Sequence, residues 1–116
     1  MSDVDYDMLN PGIRETVRWL RSLRFETVDS GDGETHEYEC DRDEPYVVMH
    51  CYGHEELKEN ADGLMRALMD LGITVSPVGM GPVYIQATYD PADGLAFIDL
   101  VGVNDAMLKE HTHEAS

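Results

Sequence analysis

Val83-Tyr84-Ile85-Gln86-Ala87-Thr88-Tyr89 and Leu95-Ala96-Phe97-Ile98-Asp99-Leu100-Val101 both read as strands, and only Asp90-Pro91-Ala92-Asp93-Gly94 separates them. So short a connection forces the two to lie antiparallel side by side, because a parallel crossover takes a dozen residues or more. Pro91 suits the second position of a turn and Gly94 a positive φ, so the link carries its own turn chemistry. A further strong strand is expected over Pro45-Tyr46-Val47-Val48-Met49-His50-Cys51-Tyr52. Its alternation puts Val47, Met49 and Cys51 on one face and Val48, His50 and Tyr52 on the other. Cys51 is therefore expected to be a core thiol.

A sheet with one apolar face needs helices to cover it, and two segments have the period for that. In the first, Asn10 is a good N-cap and Pro11 suits the first helical position. Ile13, Val17, Leu20 and Leu23 or Arg24 then recur at helical spacing. The second runs from His54 or Glu55 to Leu71, with Leu57, Ala61, Leu64, Met65, Leu68 and Met69 on its apolar side and Gly72 as its stop. Phe25-Glu26-Thr27-Val28 alternates like a short strand that ends in a turn or loop at Asp29-Ser30-Gly31-Asp32-Gly33. Thr35 to Glu44 reads as a polar extended or irregular stretch. Ile73-Thr74-Val75-Ser76-Pro77 suggests one more strand, and Val103 to Lys109 a short terminal helix.

These elements predict an α+β fold in the order α-β-β-α-β-β-β, with two helices packed on one face of a mainly antiparallel sheet. At 116 residues and 42% hydrophobic content, one core is the expectation. The organisation expected is a flexible N-terminus over 1–8, a single domain over 9–109 and a disordered end over 110–116.

Charge narrows the function classes. Twenty-four acidic residues face eight basic ones, giving a formal net charge of −16. Adaptation to high salt, or plain solubility, would explain that balance without any ligand. It weighs against direct nucleic-acid binding and attachment to an anionic membrane surface, both of which need broad basic surface. No apolar run approaches the roughly 20 residues that span a bilayer, and the first residues are acidic where a secretory signal would be basic. A soluble protein with reduced Cys40 and Cys51 is expected.

Against this background Arg14, Arg18, Arg21 and Arg24 form the single basic island. Arg14, Arg18 and Arg21 follow at i, i+4 and i+7, so they lie along one flank of the first helix, where a small anion could bind. The alternative is that they pair with carboxylates of the chain itself.

The other motifs are weaker. Asp29 to Gly33 resembles a calcium loop only loosely, because its acidic spacing is three and Cys40 stands at the twelfth position, where an EF-hand has glutamate. His36, Cys40, His50 and His54 offer zinc-ligand types, but no CxxC or HxxxH pair fixes a geometry. His54-Glu55-Glu56-Leu57-Lys58 begins like a metalloprotease motif and puts Lys58 where the second histidine must stand. There is no nucleophile elbow, P-loop or dinucleotide fingerprint. His36 or His50 could act as a general base, since imidazole titrates near neutrality, yet neither has a motif around it. No catalytic residue, no cofactor and no metal is expected.

Leu9-Asn10-Pro11-Gly12-Ile13-Arg14, Asp29-Ser30-Gly31-Asp32-Gly33, Asn60-Ala61-Asp62-Gly63-Leu64, Gln86-Ala87-Thr88-Tyr89-Asp90-Pro91 and Gly102-Val103-Asn104-Asp105-Ala106-Met107-Leu108 together resemble a group of small phage-encoded accessory proteins of uncharacterised function. The resemblance spans most of the chain, apart from the cysteines and histidines between Gly33 and His54, and it brings no activity with it. What it implies is a viral accessory protein acting in the cytoplasm of a bacterial host, of a kind that often blunts host defence. The leading expectation is non-enzymatic sequestration of a small phosphorylated ligand, such as a nucleotide signal, by Arg14, Arg18 and Arg21, with Trp19 or Tyr84 stacking on a base. Several arginines around one ligand would favour a homo-oligomer. The alternative is an acidic nucleic-acid mimic that binds and inhibits a basic, nucleic-acid-handling host protein.

Overall fold

A computed structural model describes residues 6–33, 43–76 and 81–112. After short 3-10 turns at Tyr6–Met8 and Pro11–Ile13 the chain forms helix α1 (Arg14–Ser22), strands β1 (Glu26–Asp32) and β2 (Pro45–Tyr52), and helix α2 (His54–Asp70). Strands β3 (Tyr84–Asp90) and β4 (Leu95–Val101) and helix α3 (Asp105–Thr112) follow. The four strands make one sheet in the order β1-β2-β4-β3, antiparallel throughout. The fold is α+β, as the alternating strands and helical stripes require.

The alternation along β2 sorts the sheet's two faces. Val47, Met49 and Cys51 are fully buried, as are Ala96, Ile98 and Leu100 opposite them on β4. These six meet Ile13, Val17 and Leu20 of the first helical segment and Leu57, Leu64 and Leu68 of α2 in a single core. On the other face Val48 and His50 are less deeply buried and Tyr52 is exposed, so among the described residues helices cover the sheet from one side only. The expected hairpin is present, with Gly94 at φ 74° and its N–H donating to the Asp90 carbonyl.

Both long helices end in the same way. The N–H of Ile73 donates to the Leu68 carbonyl and that of Gly72 to Met69, with Gly72 at φ 80°. At the end of α1, Phe25 donates to Leu20 and Arg24 to Arg21, with Arg24 at φ 72°. This paired closure needs a left-handed residue, ordinarily glycine. In α1 an arginine takes that conformation, at a cost of about 1 kcal/mol.

Three expectations are corrected. Asp29 to Asp32 is not a turn but the second half of β1, entered through a bulge at Val28. Gly31 is there because the Tyr46 ring occupies the space its side chain would fill: a Cβ at this position would lie only 2.6 Å from that ring. The segment after Gly72 is not a full strand, and among the described residues makes only one bridge, Ser76 to Tyr84. Asn10 does not cap α1, because its side-chain oxygen accepts from the Asp32 N–H (3.2 Å). The short terminal helix expected over Val103 to Lys109 is present as Asp105–Thr112, with Leu108 in the core and Met107 packed against it.

Asp105 takes over the capping role. Its carboxylate accepts from the N–H of Glu15 (3.1 Å) and from the N–H and hydroxyl of Thr16 (2.7 and 2.8 Å). Those amides lie in the first turn of α1, whose N–H groups have no partner within the helix. One side chain thereby satisfies the buried Thr16 and ties α3 to α1. Asn104 caps α3 itself, accepting from the Met107 N–H (2.9 Å).

Candidate functional site

Each helical residue advances about 100°, so Arg14, Arg18 and Arg21 fall within a sector of about 60° on α1. Their guanidinium groups nevertheless serve three separate partners. Arg14 reaches back to the N-terminal turn, donating to the carbonyls of Leu9 and Asp7 (both 3.1 Å). Arg18 pairs with Glu15 one turn earlier. Arg21 donates to the Thr27 hydroxyl on β1 (3.0 Å). The flank that spacing assigns to an anion is thus engaged by the chain's own oxygens.

The two expected stacking residues do not join it. Trp19 stands more than a quarter-turn away on the helix. It lines a groove of about 410 Å³ between α1 and α3, with Glu15, Asp105, Leu108 and Lys109. Tyr84 belongs to the far edge strand, three strand spacings from β1, or about 14 Å. Ile85 packs toward the core, so alternation turns Tyr84 to the face away from the helices.

Arg24 has a different setting. Among the described residues its guanidinium makes no hydrogen bond or ion pair. The left-handed turn places it beside a polar cleft of about 190 Å³, lined also by Glu26, Tyr52, Glu56 and Asn60. Glu26 starts β1 and pairs in register with His50, whose Nδ1 lies 3.4 Å from the carboxylate. Glu26 titrates below the ordinary carboxylate range, chiefly through hydrogen bonding with the Tyr52 hydroxyl beside it, with His50 adding to the effect. The same bond raises the Tyr52 phenol, because the carboxylate disfavours a second negative charge. The His50 ring meets Tyr52 edge-on at 4.5 Å and lies 5.3 Å from Phe97, which holds the imidazole in place. Behind the cleft, burial raises the Cys51 thiol, and Asn60 donates to its sulfur (3.5 Å).

Helix α2 carries a stripe of opposite sign. Glu55, Glu59 and Asp62 follow at i, i+4 and i+7, all exposed, and Asp70 continues the row beyond Arg66. Among the described residues none of these four carboxylates makes an ion pair. The N-terminal end of α2 adjoins the β3–β4 hairpin, where His54 meets Tyr89 edge-on at 5.3 Å, so Asp90 and Asp93 extend the acidic surface. The spacing that picks out the arginines picks out this row equally well, but in so acidic a chain it does not stand out.

Of the zinc-ligand types, His36 and Cys40 lie outside the described residues, while His50 and His54 sit in separate contacts. Among the described residues no three histidine, cysteine or acidic side chains converge as a metal site. Nor is any described helix long and apolar enough to cross a membrane. Fold and surface together define an α+β domain with one helix-covered sheet face and a strongly acidic exterior. No protein-family model, curated protein or solved structure matches the chain.

Proposed function

We propose that the protein is a non-enzymatic binding protein that docks its acidic surface, centred on α2, onto a cationic surface of a partner. The observation that carries this reading is the row of exposed carboxylates, Glu55, Glu59 and Asp62, without ion-pair partners among the described residues. On a chain of net charge −16 they add to a negative field that attracts basic partners and repels nucleic acid. Capture of a phosphorylated ligand by Arg14, Arg18 and Arg21 would first have to break their present contacts, and for that reason the acidic reading is preferred. In the setting implied by the resemblance to phage accessory proteins, the partner is a nucleic-acid-handling host protein and the carboxylates stand in for phosphates.

A pull-down from bacterial lysate tests this. Basic nucleic-acid-binding proteins should be retained at low salt and released between about 0.05 and about 0.5 M, where screening shortens from more than 10 Å to a few ångströms. The Glu55→Gln, Glu59→Gln, Asp62→Asn triple variant should lose them. Equal recovery by that variant, or retention that ignores salt, would refute the assignment.

A further inference from the structure

The Arg24 cleft is a second, independent feature. Its volume of about 190 Å³ is too small for a nucleotide-sized molecule, since pockets for larger ligands run from about 300 Å³ upward. At about 30 Å³ per water it equals some six waters, the scale of a small metabolite. Its charge is mixed: one guanidinium from Arg24 against the carboxylates of Glu26 and Glu56. A simple anion meets two like charges there, and a simple cation meets the guanidinium. A molecule with both charges close together satisfies all three groups. Tyr52 adds a hydroxyl, and Asn60, whose nitrogen serves Cys51, keeps its side-chain oxygen as an acceptor.

Arg24 also stands where glycine would be the less strained residue, and α2 uses Gly72 in the same closure. Strain retained at one residue, beside a cleft its side chain lines, suits a side chain kept for a ligand. We propose that this cleft binds a free α-amino acid as its zwitterion, with Arg24 taking the carboxylate and Glu26 and Glu56 taking the ammonium group. Glu26 is ready for the role, being held ionised by Tyr52 and His50.

Arg24→Gly separates binding from folding, because glycine fits the left-handed position. Calorimetric titration of wild-type protein with glycine, alanine, serine and the other small amino acids, each alone, should give saturable binding for at least one. Acetate and methylamine at equal concentration should give none. Arg24→Gly and Glu26→Gln should each weaken binding about tenfold or more, the loss expected when a charged hydrogen-bond partner is removed. The proposal is overturned if no amino acid binds wild type, if acetate or methylamine binds as well as the amino acid, or if Arg24→Gly binds it undiminished.

Discussion

Replacing Asp105 by alanine should be far more damaging than its half-exposed position suggests. The side chain accepts three hydrogen bonds, from the Glu15 N–H, the Thr16 N–H and the Thr16 hydroxyl, at 3.1, 2.7 and 2.8 Å. Thr16 is 0% exposed, so water does not replace what it loses. Loss of a helix cap costs about 1 kcal/mol, and a buried donor left without a partner about 1–3 kcal/mol. Because one oxygen serves both Thr16 groups, these costs overlap, and about 3 kcal/mol is expected in total. Out of a stability of about 5–15 kcal/mol, that is a fifth or more. At about 3–6 °C per kcal/mol for a chain of this size, the midpoint should fall by about 10–15 °C. Thermal and urea unfolding of wild type, Asp105→Ala and Asp105→Asn give the values directly. Asp105→Asn keeps one acceptor oxygen and should lose about 1 kcal/mol. A Thr16→Val, Asp105→Ala double variant should lose less than the two single losses added, because the partners are then removed together. An Asp105→Ala protein within about 0.5 kcal/mol of wild type, the range of an ordinary surface substitution, would refute the capping argument.

Arg24→Gly should raise stability by about 1 kcal/mol in urea unfolding, since it relieves the left-handed arginine, and a loss would contradict that geometry. The Cys51 thiol, buried and raised in pKa, should resist iodoacetamide in the native protein at about pH 8 and react fully after denaturation, as peptide mass spectrometry will show. Glu26 has a folded-state pKa below its unfolded one, so its contribution to stability is present above the unfolded carboxylate pKa and disappears as pH falls through the folded value. Unfolding followed across the acid range should therefore be less pH-dependent in Glu26→Gln than in wild type, and identical slopes would exclude the link. Gly31→Ala should cost about 1–3 kcal/mol through collision with the Tyr46 ring, measured by the same unfolding assay.

Local patterns carried part of this architecture. The alternation of Val47, Met49 and Cys51 against Val48, His50 and Tyr52 reports which face meets the helices, because period-two burial is written into consecutive residues. Gly72 and the Asp90–Gly94 connection are equally local, since each depends on the backbone freedom of a single residue. What could not be read depends on residues distant in the chain. Asp29-Ser30-Gly31-Asp32 has turn composition, yet its glycine makes room for Tyr46 and the N–H of Asp32 serves Asn10. Asp105 caps a helix that begins some ninety positions earlier, and no local spacing announces it. The arginine flank is correct as helical geometry, but the partners of Arg14 and Arg21 come from the N-terminal turn and β1, which helical periodicity does not place. Tyr84 is separated from that flank by the strand order, itself a product of tertiary pairing.

The central claim is that α2 supplies the working surface, and hydrogen–deuterium exchange with and without the basic partner recovered from lysate tests it most directly. Protection of amides over residues 54–70, with 14–22 unchanged, is the predicted result. Protection confined to 14–22, with α2 exchanging as in the isolated protein, would contradict it and return the function to the arginine helix.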